Sequence, residues 1–233
     1  MTPAGPVPCR YGSPVIESDY LDSTRTSYDT AAAAYADILR DVMDEMPFDR
    51  AMLNLFAEHV GDGQVADLGC GPGRVTVYLH QRGVNVFGID LSPGMVEVAR
   101  RDHPQLRFEV GSLLDLDLPD NGLDGAIAWY SLVHTPLDLL PRAFAEFHRV
   151  LKPGGHLMVA FKAGDLQKHL SHAYGHDLSL EVYWHPPRRM SELAQNAGLT
   201  EVAMLTRAPN EQWEAGPQGI LLVRKQSEMP PSG

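Results

Sequence analysis

A glycine-rich turn that follows an acid is the stretch of this sequence best suited to hold a ligand. The segment from Gln64 to Gly73 runs Gln-Val-Ala-Asp-Leu-Gly-Cys-Gly-Pro-Gly. Glycine permits positive φ and a close approach of the backbone to a ligand. The helix predicted from Arg74 to Gln81 begins with unpaired N–H groups that face the same place. The spacing therefore predicts a cradle for a nucleoside-like cofactor.

The charge beside the turn distinguishes two classes of cofactor. Nicotinamide and flavin dinucleotides favour G-x-G-x-x-G, with a pyrophosphate at the helix N-terminus. Here the spacing is G-x-G-x-G, and Asp67 stands two residues before Gly69. A carboxylate at that position disfavours a pyrophosphate and favours a ligand with an ammonium group. Asp90, at the end of the predicted second strand, suits the vicinal hydroxyls of a ribose in either class.

His134 is the candidate for proton transfer, because it follows a predicted strand over Gly125 to Tyr130. An imidazole titrates near neutrality and can accept a proton from a hydroxyl or an amine. The same residue type also orients acceptors or serves as a hydrogen-bonded structural group. The sequence leaves these three roles open.

Aromatic residues and histidines gather between Lys162 and Pro187, where the apolar periodicity is lost; they are His169, His172, Tyr174, His176, Tyr183, Trp184 and His185. We interpret this segment as a substrate cover, with aromatic side chains as the wall of a pocket. Three of the histidines, His169, His172 and His176, have helical spacing that would also suit a metal, but Gly175 interrupts the helix and no nearby acid is placed convincingly. We therefore predict no metal site.

Hydrophobic periodicity predicts alternating strands and helices around these residues. Asp29 or Thr30 is the expected N-cap of a first helix, and a second begins near Asp49. Strands are expected near 64–68, 84–90, 106–110, 125–130, 157–161, 200–207 and 219–224. The predicted organisation is a loosely packed or disordered tail over 1–26, a single domain over 27–226 with an insertion at about 163–187, and a C-terminal tail over 227–233.

Composition limits the classes of partner. The formal net charge of the 233-residue chain is −11, which disfavours nucleic acid, and no apolar run is long enough to span a bilayer. The first residues lack a secretory pattern. The two cysteines form no disulfide framework, which fits a reducing cytoplasm. We expect a cytoplasmic protein that acts on a small molecule, without nucleic-acid or membrane partners, as a monomer or homodimer.

Two motifs carry a resemblance to a known family. The run from Asp67 to Arg74 resembles the first motif of class I S-adenosylmethionine-dependent methyltransferases, and Leu151-Lys152-Pro153-Gly154-Gly155 resembles the turn after their fourth motif. The resemblance covers roughly Tyr28 to Lys225. It implies an α/β, doubly wound, Rossmann-like fold: a mostly parallel seven-stranded sheet with an antiparallel last strand, N-terminal helices and a lid after the fifth strand. The implied cofactor is S-adenosylmethionine, with S-adenosylhomocysteine as the product.

The resemblance also implies site residues. Cofactor contacts are expected from Tyr28, placed just ahead of the first helix, and from Asp67, Gly69, Cys70, Gly71, Gly73, Arg74, Asp90, Leu91, Met95, Ser112, Leu113 and Trp129. Acceptor contacts are expected from Tyr130, His134, His169, Tyr174, His176, Tyr183 and Trp184. Ser112 departs from the family pattern, which usually has an acid there to bind the adenine amino group.

The resulting functional hypothesis is transfer of a methyl group to oxygen or nitrogen, and less readily to carbon, of a small-molecule acceptor. The alternative is a protein that binds S-adenosylmethionine or S-adenosylhomocysteine without catalysis and acts as a partner or regulator.

Overall fold

The computed structural model describes residues 17–227. The helices are α1 Glu17–Leu39, α2 Pro47–Val60, α3 Arg74–His80, α4 Pro93–Asp102, α5 Leu140–Val150 and α6 Pro187–Asn196, with 3₁₀ turns at Val42–Glu45 and Ser131–His134. The strands are β1 Gln64–Leu68, β2 Asn85–Asp90, β3 Phe108–Val110, β4 Leu123–Trp129, β5 Leu151–Lys162, β6 Leu166–Ala173, β7 His176–Trp184, β8 Leu199–Arg207 and β9 Gln218–Lys225.

Seven of the strands form one sheet in the order β3-β2-β1-β4-β5-β9-β8. The first five pair in parallel, whereas β9 is antiparallel to both β5 and β8. The predicted doubly wound sheet with an antiparallel last strand is therefore confirmed. The strand order reverses between β1 and β4, and in open α/β sheets ligands bind at the carboxyl ends of the strands where this happens.

Apolar side chains cover both faces of the sheet, as a parallel sheet requires. One core contains the apolar face of α5, on which Phe144 and Phe147 are fully buried. Their rings pack edge to face with 5.8 Å between the ring centroids. The other contains Leu53 and Phe56 of α2 and Leu79 of α3. These two layers hold the sheet rigid beneath the ends of β1, β2 and β4.

The N-terminal helix begins earlier than the sequence predicted. It starts at Glu17, so residues 17–26 are helical and the predicted tail is wrong over that stretch. Tyr20, Leu21, Thr24 and Ser27 recur at helical spacing and pack on the body of the protein, where Thr24 and Ser27 are buried. The rest of the predicted N-terminal tail lies outside the described residues, as does most of the C-terminal one.

Asp29 and Thr30 lie inside α1, and neither caps its start. Asp29 Oδ1 instead accepts hydrogen bonds from Ser92 Oγ at 2.6 Å and from Gly94 N at 2.8 Å, at the beginning of α4. The aspartate is thus a tertiary contact that fixes α1 across α4. Tyr28 is likewise within the helix and not ahead of it.

The insertion after β5 is a two-stranded antiparallel hairpin of β6 and β7, where the sequence had suggested a segment without a regular period. It packs on α1, where Ser179 N donates to Ser27 Oγ at 3.2 Å. Within residues 17–227 no helix is long and apolar enough to cross a lipid bilayer.

Candidate active site

The glycine turn is tied to the end of the neighbouring strand. Gly69 N and Cys70 N both donate to Ile89 O, at 2.7 and 3.0 Å. Gly71 N donates to Asp90 Oδ2 at 2.7 Å. Because these bonds join the loop after β1 to the end of β2, the turn is held open toward the space above the sheet.

Two glycines in the turn are required by space as well as by backbone conformation. Gly69 has φ +76, and a Cβ built there would overlap Ser131 Cβ. Gly73 has φ +91, and its Cβ would lie 2.8 Å from the ring of Phe108. L side chains rarely adopt such φ values, so both positions exclude larger residues.

Asp90 is a buried carboxylate at the edge of the site. Its Oδ1 accepts a second backbone hydrogen bond, from Ser92 N at 2.9 Å. Burial raises its pKa to about 6, against these two bonds. A carboxylate has about four lone-pair positions, so Asp90 retains capacity to accept bonds from two ligand hydroxyls.

Asp67 lies deeper, under the turn. Its Oδ2 accepts a hydrogen bond from Thr76 Oγ1 at 2.7 Å, and burial raises its pKa to about 7. Together with Cys70 and Arg74 it lines a small cavity beside the turn. Burial also raises the pKa of the Cys70 thiol, which packs against Gly88, so this cysteine is neutral.

A cavity of about 750 Å³ opens above the turn, and we call it the turn cavity. Nine of the thirteen expected cofactor residues line it: Tyr28, Gly69, Gly71, Asp90, Leu91, Met95, Ser112, Leu113 and Trp129. Asp67, Cys70 and Arg74 line the smaller cavity beneath it, which Trp129 also borders, and Gly73 lines neither. Ser112 Oγ accepts from Leu114 N at 3.2 Å, which leaves the hydroxyl hydrogen free to donate into the cavity.

Tyr28 and His134 form a hydrogen-bonded pair at the wall of this cavity. The Tyr28 hydroxyl lies 2.7 Å from His134 Nε2, and His134 Nδ1 lies 2.7 Å from the carbonyl oxygen of Glu181. A carbonyl only accepts, so Nδ1 carries the hydrogen, Nε2 carries the lone pair, and the Tyr28 hydroxyl donates. The tautomer of His134 is therefore set by the backbone of the hairpin.

The electrostatics of this pair differ from the sequence expectation of an imidazole that titrates near neutrality. Burial lowers the pKa of His134 to about 4, against the bond to the Glu181 carbonyl. Burial likewise raises the pKa of Tyr28 well above its usual value. Both side chains are consequently neutral at physiological pH, and His134 is a weak base with an available lone pair.

A second cavity of about 1430 Å³, the hairpin cavity, lies between α1, the end of β5, the hairpin and the loop before β9. Tyr130, His134, Tyr174 and Trp184 from the expected acceptor set line it. The turn and hairpin cavities share four lining residues, which are Tyr28, Tyr35, Tyr130 and His134. The Tyr28–His134 pair thus stands where the two cavities meet.

Three expected acceptor residues lie outside both cavities: His169, His176 and Tyr183. Side chains alternate across a strand, and Lys168, Leu170, Val182 and Trp184 occupy the inward face of the hairpin. His169 therefore points outward, where its Nδ1 lies 2.8 Å from Glu181 Oε1. Tyr183 is on the face opposite Trp184, where it is buried and stacks on His185, and His176 lies beside the hairpin turn. Alternation therefore removes His169 and Tyr183 from the lining of the hairpin cavity, and His176 lies at the other end of β7 from Trp184.

Structure adds residues that sequence reasoning missed. Tyr20, Leu21, Thr24 and Arg25 line the turn cavity from α1, and the spacing of tyrosines and threonine at 20, 24 and 28 was the available signal. The buried Arg207 pairs with Asp49 at 2.9 Å and with Glu214 at 2.6 Å beside the hairpin cavity. No local pattern signals that cluster, because its members are far apart in the chain.

In residues 17–227 no three His, Cys, Asp or Glu side chains come together as a metal site. The lining of the turn cavity suits a nucleoside: the Asp90 carboxylate can accept from vicinal hydroxyls, the glycine turn offers backbone groups, and Leu91 and Met95 offer apolar side chains for a flat base.

Comparison with known sequences gives a consistent result. A family model described as a methyltransferase domain matches residues 65–155. The chain is 36% identical over 143 residues to a malonyl-[acyl-carrier protein] O-methyltransferase of Serratia marcescens, covering 61% of this chain and 51% of that protein. It is 30% identical over 154 residues to a demethylmenaquinone methyltransferase of Symbiobacterium thermophilum, covering 61% and 59%. The chain thus spans only about half the length of the curated relatives it matches.

Solved structures show the same fold. The 1,6-didemethyltoxoflavin-N1-methyltransferase of Burkholderia thailandensis, with bound S-adenosylhomocysteine, superposes with a TM-score of 0.71 at 22% identity, covering 93% of this chain and 94% of that one. The magnesium protoporphyrin IX methyltransferase of Synechocystis PCC 6803, with bound S-adenosylmethionine, gives 0.70 at 15% identity, covering 89% and 98%.

Proposed function

The chain belongs to the class I S-adenosylmethionine-dependent methyltransferases, and on that premise we propose that it transfers the sulfonium methyl group to an oxygen or nitrogen atom of a small-molecule acceptor. The turn cavity is the proposed cofactor site and the hairpin cavity the proposed acceptor site. The observation that carries this assignment is the Tyr28–His134 hydrogen bond at the wall common to both.

The lining of the turn cavity supports a specific placement of the cofactor. Asp90 accepts the two ribose hydroxyls, Leu91 and Met95 flank the adenine, and Ser112 donates to its edge. The glycine turn passes beneath the ribose and the methionine part. Asp67 lines the small cavity beneath the turn and not the turn cavity itself. It therefore acts on the cofactor through its charge and not through a direct contact.

The transfer step requires little covalent chemistry from the protein. A lone pair of the acceptor atom attacks the methyl carbon, the carbon–sulfur bond breaks, and its electron pair stays on sulfur to give S-adenosylhomocysteine. With a hydroxyl nucleophile, the acceptor proton passes to the Tyr28 oxygen as Tyr28 gives its own proton to His134 Nε2. Positioning and exclusion of water supply most of the rate, because the sulfonium already activates the methyl group.

The basicity of His134 restricts the acceptor further. A base with a pKa of about 4 removes a proton efficiently only from a group that is itself acidic. This favours a phenol-like or carboxylic oxygen, or a nitrogen with a free lone pair, over an aliphatic alcohol. The relative from Serratia marcescens is named as an O-methyltransferase, which supports oxygen as the methylated atom.

The test couples binding with turnover. Purified protein is titrated calorimetrically with S-adenosylmethionine and S-adenosylhomocysteine, and methyl transfer from labelled cofactor is then screened against phenols, aromatic carboxylates and heteroaromatic amines. Tyr28→Phe and His134→Ala are expected to lower kcat at least tenfold while the Kd for S-adenosylhomocysteine changes much less, because both side chains act on the proton of the acceptor.

Tyr78→Phe is the matched control, since Tyr78 is a buried tyrosine whose hydroxyl donates to Asn54 Oδ1 at 3.1 Å, away from both cavities. Its kcat is expected to match the wild type. Unchanged kcat in Tyr28→Phe and His134→Ala would remove the pair from the mechanism. Cofactor binding without turnover on any acceptor would instead favour the non-catalytic alternative.

A further inference from the structure

The hairpin cavity has an unbalanced charge. Two acids line it, Asp49 and Glu214, and both are ion-paired with the buried Arg207. Three cations also line it, Arg74, Lys162 and Lys168. Among residues 17–227 no hydrogen bond or ion pair is made by the charged group of any of these three side chains. In a chain of net charge −11, this cavity therefore offers uncompensated positive charge.

Lys162 is the one of these three cations that lies at the centre of the sheet. It ends β5, at the centre of the domain, and its ammonium nitrogen lies 5.3 Å from the centroid of the Trp184 ring. Burial lowers the pKa of Lys162, against the charge of Glu214, which is itself ion-paired with Arg207. The charge of Lys162 adds to burial in lowering the pKa of His134. A partly desolvated ammonium without a carboxylate partner is costly, so Lys162 is prepared for an anion that arrives with a ligand.

Gln218 lies opposite Lys162 in the register of β5 and β9. It is only 1% exposed, and its Nε2 donates to Gly216 O at 2.6 Å. Its Oε1 is buried and has no hydrogen-bond partner among the described residues. Since Gly216 O accepts, the amide cannot be flipped, and the open position at Gln218 is an acceptor that lacks a donor.

We propose that the acceptor is a flat, apolar molecule that carries a carboxylate with a neighbouring O–H or N–H group, bound with its carboxylate on Lys162 and its donor on Gln218 Oε1. The Trp184 ring and the apolar side chains of the cavity take the flat body, and the atom to be methylated lies toward Tyr28 and His134. This inference rests on the proposed function, since it names the class of substrate for the same site.

Three probe molecules separate the parts of this proposal. They are 3-hydroxy-2-naphthoate, its neutral methyl ester, and 2-naphthoate, which lacks the hydroxyl. Each is titrated calorimetrically into the full-length protein, with and without saturating S-adenosylhomocysteine. We expect the wild type to bind 3-hydroxy-2-naphthoate about 10- to 100-fold more tightly than the ester, the range for one charge-assisted hydrogen bond.

Variants assign the effect to residues. Lys162→Gln is expected to abolish the preference for the acid over the ester, and Lys162→Arg to retain most of it. Gln218→Leu is expected to weaken 3-hydroxy-2-naphthoate more than 2-naphthoate. Arg188→Gln removes the same charge from a side chain that is 89% exposed, outside the cavity, and is expected to leave the preference unchanged.

The outcomes distinguish this inference from the proposed function. Two results would overturn the inference and leave the proposed function standing, provided that S-adenosylhomocysteine binds. One is equal affinity of the wild type for the acid and the ester, and the other is an undiminished preference for the acid in Lys162→Gln. If S-adenosylhomocysteine does not bind, the proposed function fails, and the titrations without cofactor still decide whether Lys162 selects an anion. Equal losses for both acids in Gln218→Leu would overturn the part assigned to Gln218.

Discussion

Lowering the pH from 7.5 to 5 is expected to weaken binding of S-adenosylmethionine by nearly three orders of magnitude. The cause is the pair of buried carboxyl groups around the glycine turn. Burial raises the pKa of Asp67 to about 7 and that of Asp90 to about 6. In the cofactor placement that we propose, both groups favour binding when ionised, Asp67 through its charge near a cationic ligand and Asp90 as the acceptor for ribose hydroxyls.

The magnitude follows from the fractions ionised. Between pH 7.5 and pH 5 the ionised fraction of a group with a pKa of about 7 falls about 80-fold, and that of a group with a pKa of about 6 falls about tenfold. If binding requires both carboxylates, the affinity falls by the product, about 800-fold or roughly 4 kcal/mol. Binding near neutrality is then accompanied by release of protons from the protein.

Unfolding does not account for such a loss. The raised carboxyl pKa values make the folded state bind more protons than the unfolded state, so this contribution to the free energy of unfolding increases as the pH falls from about 7 toward 4. Burial lowers the pKa values of His134 and His185 to about 4. Their contribution to the free energy of unfolding therefore decreases as the pH falls from 6.5 to 4. The two effects are of similar size and opposite sign, so they nearly cancel.

The assay is isothermal titration at half-unit pH steps, repeated in buffers of different ionisation enthalpy to count the protons released. Asp67→Asn retains an acceptor for Thr76 Oγ1 but cannot titrate, so its affinity is expected to follow the pH dependence of Asp90 alone. Asp120→Asn, at a side chain 71% exposed and paired with Arg149, is the control. A pH-independent Kd, or an Asp67→Asn profile identical to that of the wild type, would refute the reasoning.

Three further substitutions test the scaffold. Gly69→Ala is expected to abolish detectable cofactor binding, because φ is +76 and the new Cβ would overlap Ser131 Cβ; wild-type affinity by calorimetry would contradict this. Arg207→Met leaves two buried carboxylates unpaired and is expected to cost about 3–5 kcal/mol, which denaturant unfolding measures and a loss below 1 kcal/mol would disprove. Ser92→Ala removes the N-cap hydroxyl of α4, which accepts from Met95 N at 3.0 Å and donates to Asp29 Oδ1 at 2.6 Å. Loss of the cap alone costs about 1 kcal/mol, so Tm should fall by at least about 2–4 °C, and an unchanged Tm would contradict this.

The sequence by itself determined the parts of the site that are local in the chain. The glycine turn from Gly69 to Gly73 and Asp90 at the end of β2 were found from residue type and spacing, because a backbone at positive φ and a strand-end carboxylate have local signatures. The sheet followed from short apolar runs alternating with helices, since such runs must be buried on both faces. The extent of α1 was missed, because its tyrosines and threonine have few apolar neighbours and are held by tertiary packing.

Only the tertiary structure decided which side chains face the hairpin cavity and in what protonation state. Loss of helical period between β5 and α6 hid a hairpin, whose alternation turns Trp184 inward and His169 outward. The tautomer of His134 is set by the carbonyl of Glu181, 47 residues away in the chain. Its low pKa comes from burial. These properties depend on distance and dielectric surroundings between segments remote in the chain, which the order of residues does not specify locally.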